Sequence, residues 1–449
     1  IAYIALPFIQ EYTNMEYSVE QEPNRAIITS KWGEIETAEV KKDTQVRYLG
    51  GVKSPILTEV KKSDKVTVLE DEDDWMKVAT ADGYVGYIKT KSLKNQKKEK
   101  TSRDFTEPVY SDMTEDHSIN MAWHNVTNAA ANNAVQQVLA STSGLTTIAP
   151  TWFSLADTEG NISSIADADY VNYAHTAGLE VWAVFRDFHG GTNSYDETYE
   201  TLRYTSKRAK LEDQVVAAAV AAGVDGINLD FELISSKCGV HYVQLVRELS
   251  VKCHQNNLVF SVDNYVPQSY NSHYDLKEQG IVADYVVIMA YDEHTEGSYE
   301  AGSVASISYL QDGIEKTLKK VSADKVIAGI PFFTRLWFET AKSPEQLSEE
   351  AGTEAASYPN KVSSKALGME EAAQSVVNAG ATAQWDEKTQ QNYAKWSADG
   401  GTYRIWLEDA QSLEAKLKVI QENKLAGVAE WSLGKEESSV WKLISQYVN

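Results

Sequence analysis

The sequence predicts an α/β fold: a (β/α)8 TIM barrel with a small α+β insertion, preceded by a small all-β barrel. Three observations predict it. From residue 118 onward, eight apolar strand-like segments alternate with amphipathic helical stretches over about 330 residues, the repeat of a parallel barrel ringed by helices. Residues 37–96 instead carry short runs of alternating hydrophobicity cut by turn residues. Between the seventh and eighth barrel strands lie roughly ninety residues, far more than a connection needs, so 338–405 reads as an α+β lobe on the barrel's upper face.

Taken in order, residues 1–36 read as strand (IAYIAL), short helix (PFIQEYTN) and strand (RAIITS). That is too little to hold a core, so the segment is expected to be a fragment of a larger N-terminal module. In 37–96 the strands KVTVLE (65–70), WMKVAT (75–80) and YVGYIK (84–89) are separated by DEDD and ADG turns, the pattern of a small antiparallel barrel. The basic run KNQKKEKTSR (94–103) reads as solvated, and 97–117 is expected to be a linker. The large barrel then occupies 118–449. Its expected strands are INMAW (119–123), TTIAPTWF (146–153), EVWAVF (180–185), GINLDFE (226–232), LVFSVDN (258–264), YVVIMAY (285–291), KVIAGIPFF (325–333) and AGVAEWS (426–432). Stretches such as DQVVAAAVAAG (213–223) and YVQLVRELSVKC (242–253) supply the helices between them.

Composition narrows the partners. With 65 acidic against 42 basic residues the formal net charge is -23, which repels phosphate backbones and anionic lipid and counts against nucleic-acid or membrane binding. No apolar run is long enough to cross a bilayer, and the opening IAYIALPFI is too short for a signal core and is broken by Pro7. Neutral or cationic sugar polymers stay compatible. Cys238 and Cys253 sit fifteen residues apart in a helical segment, roughly 22 Å at the helical rise, so they are expected to be buried free thiols. The usual zinc spacings are absent, and no metal is expected.

The chemistry concentrates in DGINLDFE, residues 225–232. Side chains alternate along a strand, so Ile227, Leu229 and Phe231 face the helices while Asn228, Asp230 and Glu232 face the barrel interior. A parallel barrel interior is an apolar layer, and carboxylates there cost several kcal/mol unless paired or used. Glu232 falls at the strand's C-terminal end, where barrel active sites open. Two inward carboxylates at i and i+2 repel, so one pKa should rise and leave an acid protonated near neutral pH. Glu232, nearer the mouth, is placed to donate that proton; Asp230, deeper, is expected to stay charged. The competing reading is a buried ion cluster that only holds strands together.

DGINLDFE resembles the D-G-x-D-x-D-x-E signature of glycoside hydrolase family 18, the chitinases and their relatives. The resemblance runs over 118–449. MAYDEH (289–294) resembles the family's strand-six motif, GIPFFTRLW (329–337) its strand seven and AGVAEWSLG (426–434) its strand eight. APTWFSL (149–155) and SVDNYVP (261–267) are closer to the branch of spore-cortex and cell-wall N-acetylglucosaminidases. VKSPILTEVKKSDKVTVLEDEDDWMKVATADGYVGYIKTKSL, with Gly83 and Gly86 flanking Tyr84–Val85, resembles bacterial SH3 domains, a fold that commonly binds cell-wall peptide or acts as a spacer. Trp75 and Tyr87 are either binding residues there or core.

The resemblance implies hydrolysis of β-1,4 bonds in N-acetylglucosamine polymers, peptidoglycan ahead of chitin, by substrate-assisted retaining catalysis without a cofactor. Glu232 would be proton donor and later base, Asp230 would accept the acetamido N–H, and Tyr291 would hold the acetamido oxygen. Trp431 would floor the sugar. The family's central Asp is Asn228 here, which is expected to donate a hydrogen bond to Asp230 and lower its pKa. Asp292 either faces ligand or caps a loop, and Arg335 either binds sugar or pairs with an acid. Trp123 and Trp152 either stack on sugar or pack. His124 reads as structural, as does Asp225, which has the wrong parity for the inward seam. A bacterial extracellular, cell-wall or spore location follows from that function. The alternatives are a catalytically silent lectin-like wall protein and an interaction protein working through its N-terminal modules.

Overall fold

The computed structural model describes residues 4–107 and 112–448. The expectations for residues 1–3 and for 108–111 of the linker lie outside the described residues. The chain forms two compact units, 1–110 and 111–449.

In the first unit a seven-stranded antiparallel sheet orders Ile56–Val60, Thr44–Arg47, Val85–Lys89, Trp75–Thr80, Lys65–Glu72, Gly33–Val40 and Leu93–Thr101. The alternation in WMKVAT buries Met76 and Val78 against Val40, Val46, Val66 and Ile88. Gly86 is required where it stands: a Cβ there would lie 2.5 Å from the Arg47 carbonyl oxygen. Two expectations need correction. The basic run read as the start of a linker is a strand, because its lysines pair across the ladder with the glutamates of Gly33–Val40. Lys94 stands opposite Glu39 at 3.5 Å, and Lys98 reaches Glu34 at 2.7 Å. At the other end, IAYIAL is not a strand over its described part. Leu6 opens the helix Leu6–Tyr12, with Pro7 in its first turn where a missing N–H is harmless. An unanticipated strand, Glu16–Glu20, then pairs with Arg25–Thr29.

The second unit is the barrel. Its parallel strands are β1 (Ile119–His124), β2 (Thr147–Pro150), β3 (Glu180–Arg186), β4 (Gly226–Asp230), β5 (Val259–Tyr265), β6 (Tyr285–Met289), β7 (Val326–Pro331) and β8 (Gly427–Trp431). Each pairs with the next, and β8 pairs back onto β1, closing the ring. All eight segments read as barrel strands contain one. The second is broken after Pro150; its continuation, Phe153–Leu155, pairs with β3 and with the antiparallel Ile162–Ser164.

Alternation sorts the side chains into two cores. Met121, Trp123, Trp182, Val184, Val287 and Ala429 pack inside the ring. Ala122, Ile227, Leu229, Phe260 and Ile288 pack outward beneath the helices. The helix Thr205–Ala222 ends on Gly223, whose φ of 76° suits glycine. Cys238 and Cys253, at the two ends of the helix Gly239–Gln255, are buried free thiols. The inserted lobe is a five-stranded antiparallel sheet with the helix Met369–Asn378 on it. It begins at Phe333, five residues earlier than expected, because the strand Phe333–Ala341 follows β7 almost directly.

Candidate active site

The β4 parity holds. Ile227, Leu229 and Phe231 join the outer core, while Asn228 and Asp230 are buried on the inner side. β4 itself ends at Asp230, so Glu232 stands two residues beyond it, at the mouth. There a cleft of about 150 Å³ opens, lined by Asp230, Glu232, Tyr291, Asp292, Trp123 and Trp431, and also by Asp263, Tyr265, Phe188 and Met289.

Glu232 is held from three directions. Asp187, just past β3, accepts hydrogen bonds from the backbone N–H groups of Glu232 (2.8 Å) and Leu233 (3.0 Å). The Tyr274 hydroxyl lies 3.1 Å from the carbonyl oxygens of both Phe231 and Glu232 and donates to them. The Tyr265 hydroxyl donates to the Glu232 carboxylate itself. An acid pinned in this way keeps its aim, and aim governs rate when a proton must reach one atom. Tyr274→Phe should therefore lower turnover roughly tenfold by loosening Glu232. The same change should cost about 1 kcal/mol of stability, the worth of one buried bond. A thermal melt read beside kcat separates the two effects.

Burial and mutual repulsion set the electrostatics. Burial, then Glu232, Asp263 and Asp187, push the Asp230 carboxyl well above the usual range, with Arg186 opposing. Burial also raises Glu232, against the Tyr265 hydrogen bond. The expectation that Asp230 stays charged is thus corrected: in the empty cleft the deeper acid holds its proton hardest, because it has lost the most water. One of its oxygens, Oδ1, has no hydrogen-bond partner among the described residues.

The Asn228 expectation also changes. Its amide donates not to Asp230 but across to β5, to Asp263 Oδ1 at 2.7 Å and Ser261 Oγ at 2.9 Å. The indole of Trp123 donates to Asn228 Oδ1 at 3.0 Å. That bond and an exposure of 1% make Trp123 a support beneath the cleft, with no open face for a sugar to stack on. Trp431, 5.9 Å from it centroid to centroid, is only partly buried and does line the cleft. Tyr291 is buried by the site, yet its hydroxyl has no partner among the described residues. Asp292 lines the cleft on a backbone with φ 59°. Arg335 stands outside that lining, on the inserted sheet; it bonds Ser364 at 2.9 Å and acts on Asp292 electrostatically.

The remaining candidates are structural. His124 bonds Tyr170 at 2.8 Å, and burial pushes its pKa down to about 4. Trp152 is core and bonds Asn132. Asp225 ties the start of β3 by accepting from Val181 N–H. Four neighbours of the site escaped the sequence reading. Asp263 and Tyr265 share the inward parity of VFSVDNY, the signal that identified Asp230, so they were findable. Asp187 and Tyr274 lie off the strands, where no periodicity marks them.

Burial holds Asp187 at about 7, up from the ordinary aspartate value of 3.8. Its protonated form is favoured by folding. The stabilisation is therefore complete below about pH 4 and is lost as pH rises through 7. Melting temperature should fall between about pH 5 and 8, and Asp187→Asn should flatten part of that slope.

Comparison with known proteins adds two family matches. Residues 136–436 match the model for glycosyl hydrolases family 18, and residues 41–94 match the bacterial SH3 domain. The chain is 26% identical over 295 residues to the uncharacterized glycosylase YvbX of Bacillus subtilis (strain 168), covering 64% of this chain and 80% of the relative. It is 27% identical over 256 residues to the cortical fragment-lytic enzyme of the same organism, covering 55% of this chain and 54% of that one. The chain thus spans about half the length of the second relative. Among solved structures, the spore cortex-lytic enzyme SleL of Bacillus cereus superposes with TM-score 0.63 at 19% identity, covering 78% of each chain. The C-terminal domain of a putative chitinase from Desulfitobacterium hafniense gives 0.64 at 19% identity, covering 74% of this chain and all of that domain. At that identity the two structures speak for the fold alone.

Proposed function

The chain belongs to family 18 of the glycosyl hydrolases and is a glycosidase, and from that premise we propose that it cuts β-1,4 bonds of N-acetylglucosamine polymers with retention, peptidoglycan ahead of chitin. One observation carries the reading: a single cleft, lined also by Trp431, brings together Glu232, whose acid form burial favours, a buried and unpartnered Asp230 oxygen, and Tyr291. These are a donor for the leaving oxygen, an acceptor for the acetamido N–H and a donor for the acetamido carbonyl. In the proposed first step the acetamido oxygen bonds to the anomeric carbon while Glu232 gives its proton to the departing glycosidic oxygen. Asp230, accepting the acetamido N–H, stabilises the positive charge that develops on the sugar ring. In the second step Glu232 takes a proton from water, whose oxygen displaces the acetamido group and restores the original anomeric configuration.

Two features favour peptidoglycan. The bacterial SH3 domain offers an open groove of about 410 Å³ beside Trp75, with Arg47, Lys89 and Lys91 on its walls. Several similar proteins are named for spore-cortex lysis. An extracellular, wall or spore location goes with that substrate. Purified peptidoglycan and chitin oligomers, incubated separately and analysed by mass, test the reading. Muropeptides ending in reducing N-acetylglucosamine, formed first as the β-anomer by proton NMR, are expected. New reducing ends from neither polymer, or the α-anomer first, would overturn it.

A further inference from the structure

Asn228 leaves the barrel interior one carboxyl short on β4, and β5 supplies one. The β4–β5 register sets Asn228 beside Ser261 and Leu229 beside Val262, so one step further Asp230 stands level with Asp263. Asp263 is 2% exposed, lines the same cleft and is anchored through Oδ1 by the Asn228 amide. Its other oxygen, Oδ2, is buried without a partner, as is Oδ1 of Asp230. Two buried carboxyls, level on adjacent strands and each with one unbonded oxygen, cannot both ionise.

We propose that Asp263 is a positioning residue for the hydrolysis, acting through Asp230 as the proton partner that Asn228 cannot be. The inference rests on the catalytic reading above. While the cleft is empty, Asp230 keeps its proton. When the acetamido group arrives, the Asp230 O–H bond breaks and an O–H bond forms on Asp263 Oδ2. Asp230 then faces the acetamido N–H as an anion, and the pair carries one negative charge throughout. The proton returns when product leaves. No outside acid or base is consumed.

The surroundings suit one shared charge. Facing Asp263 are Asp230 and Glu232 from the β4 side, Tyr291 beyond β6 and Tyr242 from the helix behind, with Tyr265 next but one on its own strand. The cation nearby, Arg186 at the end of β3, acts on Asp230. Burial pushes the Asp263 carboxyl up, so of the neighbouring groups it is the one able to take the proton that Asp230 releases.

The test compares the full chain with Asp263→Asn and with the double variant Asn228→Asp, Asp263→Asn, on N-acetylglucosamine oligomers. The single variant's amide oxygen can still accept from Asn228, so a purely structural role predicts unchanged kinetics. The proposal predicts that kcat falls roughly 10- to 100-fold with KM within about threefold, and that the pH profile shifts. The double variant, which moves the carboxyl back to β4, should recover at least about tenfold of the loss. Wild-type kcat and profile in Asp263→Asn would overturn the proposal. Should either variant fail to fold, infrared difference spectra of the wild-type chain with an N-acetylglucosamine thiazoline decide. A protonated-carboxyl band that changes on binding supports the proposal, and an unchanged spectrum overturns it. A wild-type chain that hydrolyses nothing, or undiminished turnover in Glu232→Gln, would instead sink the catalytic reading itself.

Discussion

Glu232→Gln should all but abolish hydrolysis, with kcat falling by about 10³-fold or more while binding of an N-acetylglucosamine oligomer stays within about threefold of wild type. The amide has the shape of the acid and can still accept the Tyr265 hydroxyl, and Asp187 and Tyr274 hold only the backbone of residue 232. The geometry therefore survives. What disappears is a proton that can be released to the leaving oxygen, along with the base that the second step needs. Because both functions are lost, the expected fall lies in the upper part of, or above, the usual worth of one acid or base, which is about 10²–10⁴. Calorimetric titration with an oligomer, beside a reducing-end assay, gives both numbers. Turnover near wild type would show that the proton comes from elsewhere.

Asp230→Asn should cost about 10²–10³ in kcat, the range for removing one preorganised charge that faces a developing charge. The variant is isosteric, so KM should hold. A second effect gives the result its signature. Once Asp230 faces the acetamido group as an anion, its charge opposes ionisation of Glu232, adding to the burial and the Asp292 charge that already raise that carboxyl. Removing one partner lowers the Glu232 pKa, and the alkaline limb of the residual activity should move toward acid. An unchanged limb would mean that burial, Asp292 and the Tyr265 hydrogen bond set the Glu232 pKa without Asp230.

Position decided how much of the site could be read in advance. Asn228, Asp230 and Glu232 were legible because a strand fixes side-chain direction at every second residue. Tyr291, Asp292 and Trp431 came from the family resemblance, and all three line the cleft. Trp123 stayed open between stacking on sugar and packing, and only the tertiary contacts show an indole spent on Asn228. The lysines of 94–100 are solvated as expected, but the run looked like a linker because its partners, Glu34 and Glu39, lie some sixty residues earlier. A charge run shows its own sign and not what stands opposite.

The amino-acid sequence by itself determined the strand and helix repeat, the inward parity of the acids and the mouth position of Glu232, since all three follow from backbone geometry within a few residues. Only the tertiary structure decided that Asn228 reaches Asp263 and not Asp230, that Asp187 and Tyr274 hold Glu232, and which acid keeps its proton. Those outcomes depend on the stagger between neighbouring strands and on how much water each carboxyl loses. Both are set when the ring of eight strands closes.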